Sequence, residues 1–184
     1  LMALVLKQLE GMSVMLHATA AGMPLYESYG FRGSGEIHQH QGILLQQPEE
    51  ALPLDGRLRP TGNSDAGELS ELASRAAGFS RAILIPELLK VAEGIVLDHK
   101  GQTVGFALMR RFGRGFAIGP VVAPDLDSAK ALISHWLAKL PRKFVRLDVP
   151  HSAGLGEWLA QQGLEHVSSV VPMWRGNPPE RGGA

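Results

Sequence analysis

Three sets of side chains in this sequence are of types that do chemistry. Glu36, His38 and His40 alternate, so on a strand all three project from one face at a spacing compatible with metal ligation. No further ligand pattern accompanies them. A solvated polar strand face is the stronger reading, and the same face could help line an amine pocket. Arg146 and Asp148 share one face of an apolar run, with His151 just beyond its end. Such a set can polarise a substrate, and it can equally close on itself as an ion pair. Arg110, Arg111 and Arg114 flank a hairpin turn and suit a phosphate or an acidic ligand, although a solvated hairpin tip explains them more simply.

Other chemistries are excluded by what the chain lacks. Without cysteine there is neither a disulfide framework nor a thiolate nucleophile, and a reducing cytoplasmic compartment is the expectation. Lys plus Arg (18) balances Asp plus Glu (18), and the basic residues are scattered, so no footprint for nucleic acid is expected. The opening run Leu1–Leu6 is short of the about 20 apolar residues of a membrane span and lacks the flanks of a signal peptide. It reads as the interior of a helix. At 45% hydrophobic and 20% charged residues, the composition is that of a globular chain.

The elements that must position these groups follow from periodicity. Leu1, Leu4, Val5 and Leu9 mark a helix ended by Gly11. A short buried strand follows at Ser13–Ala18, then a helix at Ala20–Tyr29 with Pro24 in its first turn and Gly30 as its stop, then a polar strand at about Ser34–Leu45. Residues 46–63 carry Pro48, Pro53 and Pro60 without an apolar period and read as an exposed connector. Beyond it the pattern predicts helices at 64–77 and 82–92 and strands at 94–99, 103–112 and 115–122. A helix at 126–139, a strand at 143–149, a helix at 153–162 and a strand at 165–174 complete the series, before a frayed tail at 177–184. Trp136 and Trp158 sit at helical core spacing.

A helix–strand–helix–glycine–strand order occurs twice. Leu1, Met2, Leu6, Leu9, Val14 and Leu16 fall opposite Leu132, Ile133, Leu137, Leu140, Val145 and Leu147 at one constant offset. After a small adjustment in the loop, Gly30-Phe31 meets Gly163-Leu164. The expected organisation is therefore the later part of one unit at 1–45, the connector at 46–63 and a complete divergent second unit at 64–176.

The run from Val14 to Phe31 resembles a motif of the GNAT acyltransferases, whose common form is Asn-x-x-Ala-x-x-Leu-Tyr-Glu-x-x-Gly-Phe. Thr19 stands for the Asn, Gly22 for the Ala, and Leu25-Tyr26-Glu27-x-x-Gly30-Phe31 is intact. The element order after the connector is also similar to that family. The resemblance implies an α/β (α+β) fold with a mixed, mostly antiparallel sheet flanked by helices, here with a partial second copy at the N-terminus, as in tandem members. It implies acetyl-CoA as co-substrate and a primary amine, on a small molecule or an amino terminus, as acceptor.

By the same resemblance Tyr26 would be the general acid, and His17, Ala18 and Thr19 would face the pantetheine arm; satisfying local backbone groups is the stronger reading of His17 and an equal one for Thr19. The bland reading of Tyr26 is a helix tyrosine packing over the core with its hydroxyl at the rim. Arg146 and Asp148 would border the substrate in the second copy. In the family the arm lies where two neighbouring strands splay; Gly119-Pro120 suggests a bulge that helps such a splay. The family's glycine-rich turn for the pyrophosphate is missing from the second copy, which reads Ala123-Pro-Asp125-Leu-Asp127. A phosphate charge about 4 Å from such a carboxylate meets repulsion of about 4 kcal/mol at an effective dielectric near 20. By the resemblance the first copy's own pyrophosphate turn would lie just before Leu1, so the chain by itself is expected to be inactive, a non-catalytic GNAT-like binding module being the main competing reading. A metal protein built on Glu36, His38 and His40 is a weaker third.

Overall fold

The computed structural model describes residues 1–44, 56–62 and 64–178. Helix α1 (Met2–Gln8) and strand β1 (Val14–Ala18) precede α2 (Met23–Ser28), which begins with Pro24 in its first turn, where the missing N–H costs nothing. Gly30 closes α2 at φ +82, a conformation open to glycine without strain. The polar strand is broken into β2 (Arg32–Gly33) and β3 (Ile37–Ile43).

The first departure from the sequence reading comes next. Part of the connector is β4 (Gly56–Pro60), which pairs with β5 (Ala92–His99). Its closing Pro60 sits at the end of an edge strand, the position where a missing donor is tolerated. The remainder of the connector, 45–55 and 63, and the tail beyond 178 lie outside the described residues.

Helices α3 (Ala66–Ala77) and α4 (Leu84–Leu89) follow. The second is shorter than its apolar pattern suggests, because Ala92 and Glu93 pair with Arg110 and Met109 of β6 (Gln102–Phe112), and that ladder claims their backbone. Then come β7 (Gly115–Val122), α5 (Leu126–Lys139), β8 (Phe144–Pro150), α6 (Gly156–Gln161) and β9 (Glu165–Arg175). The helix expected at 153–162 starts late: His151–Ala153 form a 3-10 turn that Gly154, at φ +69, ends before α6 begins.

The nine strands among the described residues join in one mixed sheet, ordered β1-β9-β3-β8-β7-β6-β5-β4, with β2 paired to β9. Strand β3, from the earlier part of the chain, lies between β8 and β9 and pairs antiparallel with both. Strand β9 divides its length: its first half pairs with β3, its second half with β1 and β2. The registers of the two junctions correspond. Val14 pairs with Arg175 as Val145 pairs with Gly42, Leu16 with Met173 as Leu147 with His40, and Ala18 with Val171 as Val149 with His38.

Three apolar clusters hold the sheet. On α5, Leu132, Ile133, Trp136 and Leu137 are fully buried against β5–β8, and the Trp136 indole N–H donates to the Ala107 carbonyl at 3.3 Å. Trp158 joins the same core from α6. Each such aliphatic side chain contributes about 1.5–3 kcal/mol relative to exposure. Leu69, Ala73 and Ile85 of α3 and α4 pack on Val96, Phe106 and Leu108. Leu6, Ala18, Phe31 and Met173 form a smaller core around β1.

Candidate active site

Strands β7 and β8 run parallel but pair at only two positions, Phe116 with Val145 and Ala117 with Arg146. Beyond these they diverge. On its other side, β7 holds two residues, Gly119 and Pro120, against the single Leu108 of β6, since Ala107 faces Val121 and Met109 faces Ile118. That is the bulge the Gly-Pro pair suggests, and it turns the second half of β7 away from β8. The gap opens a cavity of about 360 Å³ bounded by Ile118–Val121, Leu147–Pro150 and the first turns of α5.

The start of α5 decides what that cavity can hold. Asp125 is the N-cap: its carboxylate accepts the Ser128 N–H at 2.7 Å. Hydrogen bonds from Ser128 hold the Asp125 carboxyl below the usual carboxylate range, so it is ionised at neutral pH. The helix terminus that would cradle a pyrophosphate is thus satisfied by a fixed negative charge. Among the described residues no Lys, Arg or His lines the cavity. The gap suits an extended arm; the helix terminus does not suit the diphosphate of CoA.

Arg146 and Asp148 are engaged with each other. The guanidinium donates to both carboxylate oxygens, Nε–Oδ1 2.9 Å and Nη2–Oδ2 2.8 Å, and the pair raises the Arg146 pKa. Asp148 borders the cavity; Arg146 lies over the Phe112 ring at 5.3 Å and does not line it. The hairpin arginines cover aromatic rings, Arg110 on Phe112, Arg111 on Phe116 and Arg114 on Phe144, at 4.1–5.5 Å.

Tyr26 occupies the other half of the molecule. Its ring stands edge-on to Phe31, centroids 6.1 Å apart, half-buried on the core around β1. A Cβ at Gly22 would lie 3.3 Å from Tyr26 Cε2 and 3.5 Å from the Thr19 hydroxyl. Tyr26 and Thr19 therefore converge over a position where glycine, in place of the motif's alanine, leaves them room. The Thr19 carbonyl accepts the Gly22 and Met23 N–H groups, fixing the corner between β1 and α2. Ala18 is buried, His17 is exposed, and β1 pairs on one side alone among the described strands.

Glu36, His38 and His40 lie on β3 and meet two residues that sequence reasoning did not join to them. The His38 ring stacks on His166 at 4.3 Å and lies 4.6 Å from His151, while His40 is 5.5 Å from His166. Only the β3–β9 pairing brings His166 here, and no spacing in the chain announces it. His40 is buried, with Nδ1 3.0 Å from the Leu164 carbonyl and Nε2 without a partner among the described residues. The Ser169 hydroxyl, then His38, hold the exposed Glu36 carboxyl below its ordinary pKa. Among the described residues no group of three His, Cys, Asp or Glu side chains is arranged to hold a metal ion. Face-to-face stacking of His38 and His166, 22° between planes, keeps their nitrogens from converging on one point.

Residues 69–183 match the acetyltransferase (GNAT) domain. The chain belongs to the GNAT acetyltransferases. It is similar to the uncharacterized N-acetyltransferase YitH of Bacillus subtilis, 27% identical over 167 residues, covering 89% of this chain and 58% of that protein. It is 22% identical to the holothin acyltransferase of a Pseudoalteromonas species, covering 86% of this chain and 55% of that one. The chain thus spans little more than half the length of these curated relatives. Among solved structures, a putative acetyltransferase from Pyrococcus horikoshii superposes with TM-score 0.67 at 19% identity, covering 94% of this chain and 55% of that one. A GCN5-related N-acetyltransferase from Sphaerobacter thermophilus gives 0.65 at 18%, covering 89% and 59%. Both share the fold. Among the described residues no helix of this GNAT chain is long and apolar enough to cross a membrane.

Proposed function

We propose that the protein transfers an acyl group, acetyl by preference, from acyl-CoA to a primary amine by direct attack, and that the chemistry belongs to the Tyr26 half. The observation that carries this is the Tyr26–Thr19 corner over Gly22, beside a β1 whose outer edge is unpaired among the described strands. An acyl thioester supplies an activated carbonyl. The amine lone pair forms the new C–N bond, the C–S bond breaks, the Tyr26 hydroxyl gives its proton to the departing sulfur, and the proton shed by the nitrogen passes to solvent, which restores the phenol. Thr19 and the backbone of His17 and Ala18 border the arm. Neither a covalent enzyme intermediate nor a metal is invoked. Arg146 and Asp148, bound to each other, hold the wall of the second half; Asp148 remains in reach of a ligand in the cavity.

This reading includes two related units, residues 1–45 and 64–176, the second brace rather than catalyst. It is supported by the matching registers of β1 with β9 and β8 with β3. The 184-residue chain alone is expected to be inactive. The test is CoA release with acetyl-CoA and a panel of primary amines, using the full-length protein, its Tyr26→Phe variant and this chain. Tyr26→Phe should lower kcat about 100-fold with KM for acetyl-CoA nearly unchanged. An unaltered kcat would make Tyr26 a packing residue, and turnover by this chain would refute its inactivity.

A further inference from the structure

Arg110, Ala117 and Arg146 form a row across three strands on one face of the sheet, since Ala117 pairs with Arg110 on one side and with Arg146 on the other. Both guanidiniums lie over the Phe112 ring, at 5.2 and 5.3 Å, and that ring is 42% exposed. The two differ in one respect. Arg146 holds a carboxylate, donating to both oxygens of Asp148 at 2.9 and 2.8 Å. Arg110, seated on the same ring, meets no carboxylate among the described residues. One row nearer the hairpin tip, Arg114 lies over Phe144 at 4.1 Å and is likewise without a carboxylate there. Same-face rows of a sheet stand about 6.5–7 Å apart, which is also the spacing of alternate side chains in an extended peptide.

We infer that this face binds an acidic peptide segment, with one carboxylate on Arg110 over Phe112 and a second, two residues along, on Arg114 over Phe144. The filled unit beside them, Arg146 with Asp148, shows how a carboxylate is held against that ring. A guanidinium already resting on an aromatic face loses less freedom when its fork closes on an anion. Arg110 and Arg146 stand within about 10 Å of each other, a Debye length at 0.1 M salt, and Asp148 neutralises one of them. The remainder is a local excess of positive charge on a chain whose formal net charge is zero, complementary to an acidic partner. Phe112 and Arg114 are exposed rather than enclosed, which suits a chain laid across the face better than a small acid that needs walls. Acyl transfer at Tyr26 belongs to the other half, and either reading can fail without the other.

Amide and guanidinium NMR on this chain at low salt tests it, with acetyl-Gly-Glu-Gly-Glu-Gly-amide as probe and the peptide with glutamine at both acidic positions as control. The acidic peptide should shift the amides of Phe112, Ala117 and Arg146 and the Nε–H of Arg110 at millimolar concentration. It should bind about tenfold or more tighter than the control. Arg110→Gln should weaken it about fivefold. Asp148→Asn frees the fork of Arg146 and should tighten it about threefold. Ala117→Glu puts a carboxylate between the two arginines within the chain and should abolish binding with Tm retained. No shift with the acidic peptide at millimolar concentration, or equal binding of the glutamine control, overturns the inference. Tighter binding of oligothymidylate or of phosphatidylserine vesicles through the same amides, at equal total charge, overturns it as well, because phosphate would then be the ligand. Weaker binding to Asp148→Asn overturns the use of Arg146 as the pattern for Arg110. The comparison of the two peptides needs no variant, so a substitution that fails to fold leaves the test standing.

Discussion

Two junctions of this sheet are built to one register and filled with different chemistry. At one, β9 lies against β1 and presents Val171 and Met173, the latter fully buried with Leu6, Ala18 and Phe31. At the other, β3 lies against β8, and the corresponding positions are His38 and His40. The first is an ordinary apolar seam. The second buries one imidazole, His40, with an orphaned nitrogen, and beside it His38 stacks on His166 and meets His151. Backbone pairing fixes which residues face each other, and it leaves open whether the contact is hydrocarbon or imidazole. Strand order is accordingly a poor guide to what a junction can do.

The largest effect should come from the backbone contact that lets β3 insert. A Cβ on Gly42 would collide with the Gly163 carbonyl, a backbone atom without freedom to move. Gly42→Ala should cost about 3 kcal/mol or more by urea unfolding. Arg175 fills the corresponding place in the β1 junction, so the reverse change, Arg175→Gly, should cost about 1 kcal/mol or less. Equal losses would mean that the junctions are constrained alike.

Exchanging their chemistry comes next. Met173→His places an unpartnered imidazole in the apolar seam and should destabilise by about 2–3 kcal/mol. His40→Met loses one bond to Leu164 but also removes the orphaned Nε2, and should stay within about 1 kcal/mol. If His40→Met proved the more damaging, the histidine cluster would hold a ligand or partner that packing alone does not reveal.

Acidification separates the corners of the molecule in a smaller way. Hydrogen bonding to Arg59, at 2.7 and 3.0 Å, holds the Asp65 carboxyl below its ordinary range despite its burial. A depressed carboxyl stabilises the fold above the unfolded value near 3.8 and loses that contribution as pH falls through the folded one. Asp65→Asn should flatten the stability profile below about pH 4. Burial, aided by Lys139, lowers the His135 pKa. A depressed imidazole stabilises above about 6.5 and loses its contribution as pH drops below it, so His135→Gln should flatten that window instead. Chemical denaturation from pH 3 to 8 reads both windows.

Much of the later fold was legible in the chain because its signals are local. The hairpin β6–β7, the α5 stripe and the glycine stops after α2 and α6 each depend on neighbours a few residues away. Tyr26 and its Leu25-Tyr26-Glu27 setting were legible for the same reason. β4 was not, since three prolines and several charges mask a short edge strand whose partner supplies the pairing. His166 was not, because nothing near it in sequence marks it as a neighbour of His38.

Local residue chemistry thus determined most of the elements, the Leu25–Phe31 pattern and the charge at the head of α5. Tertiary structure alone decided that β3 crosses into the later half, that β9 returns to β1, and that β7 parts from β8 after two pairs. The physical reason is that strand edges are interchangeable donors and acceptors. A sequence specifies that an edge needs a partner, and the packing of the whole sheet selects which distant one it receives.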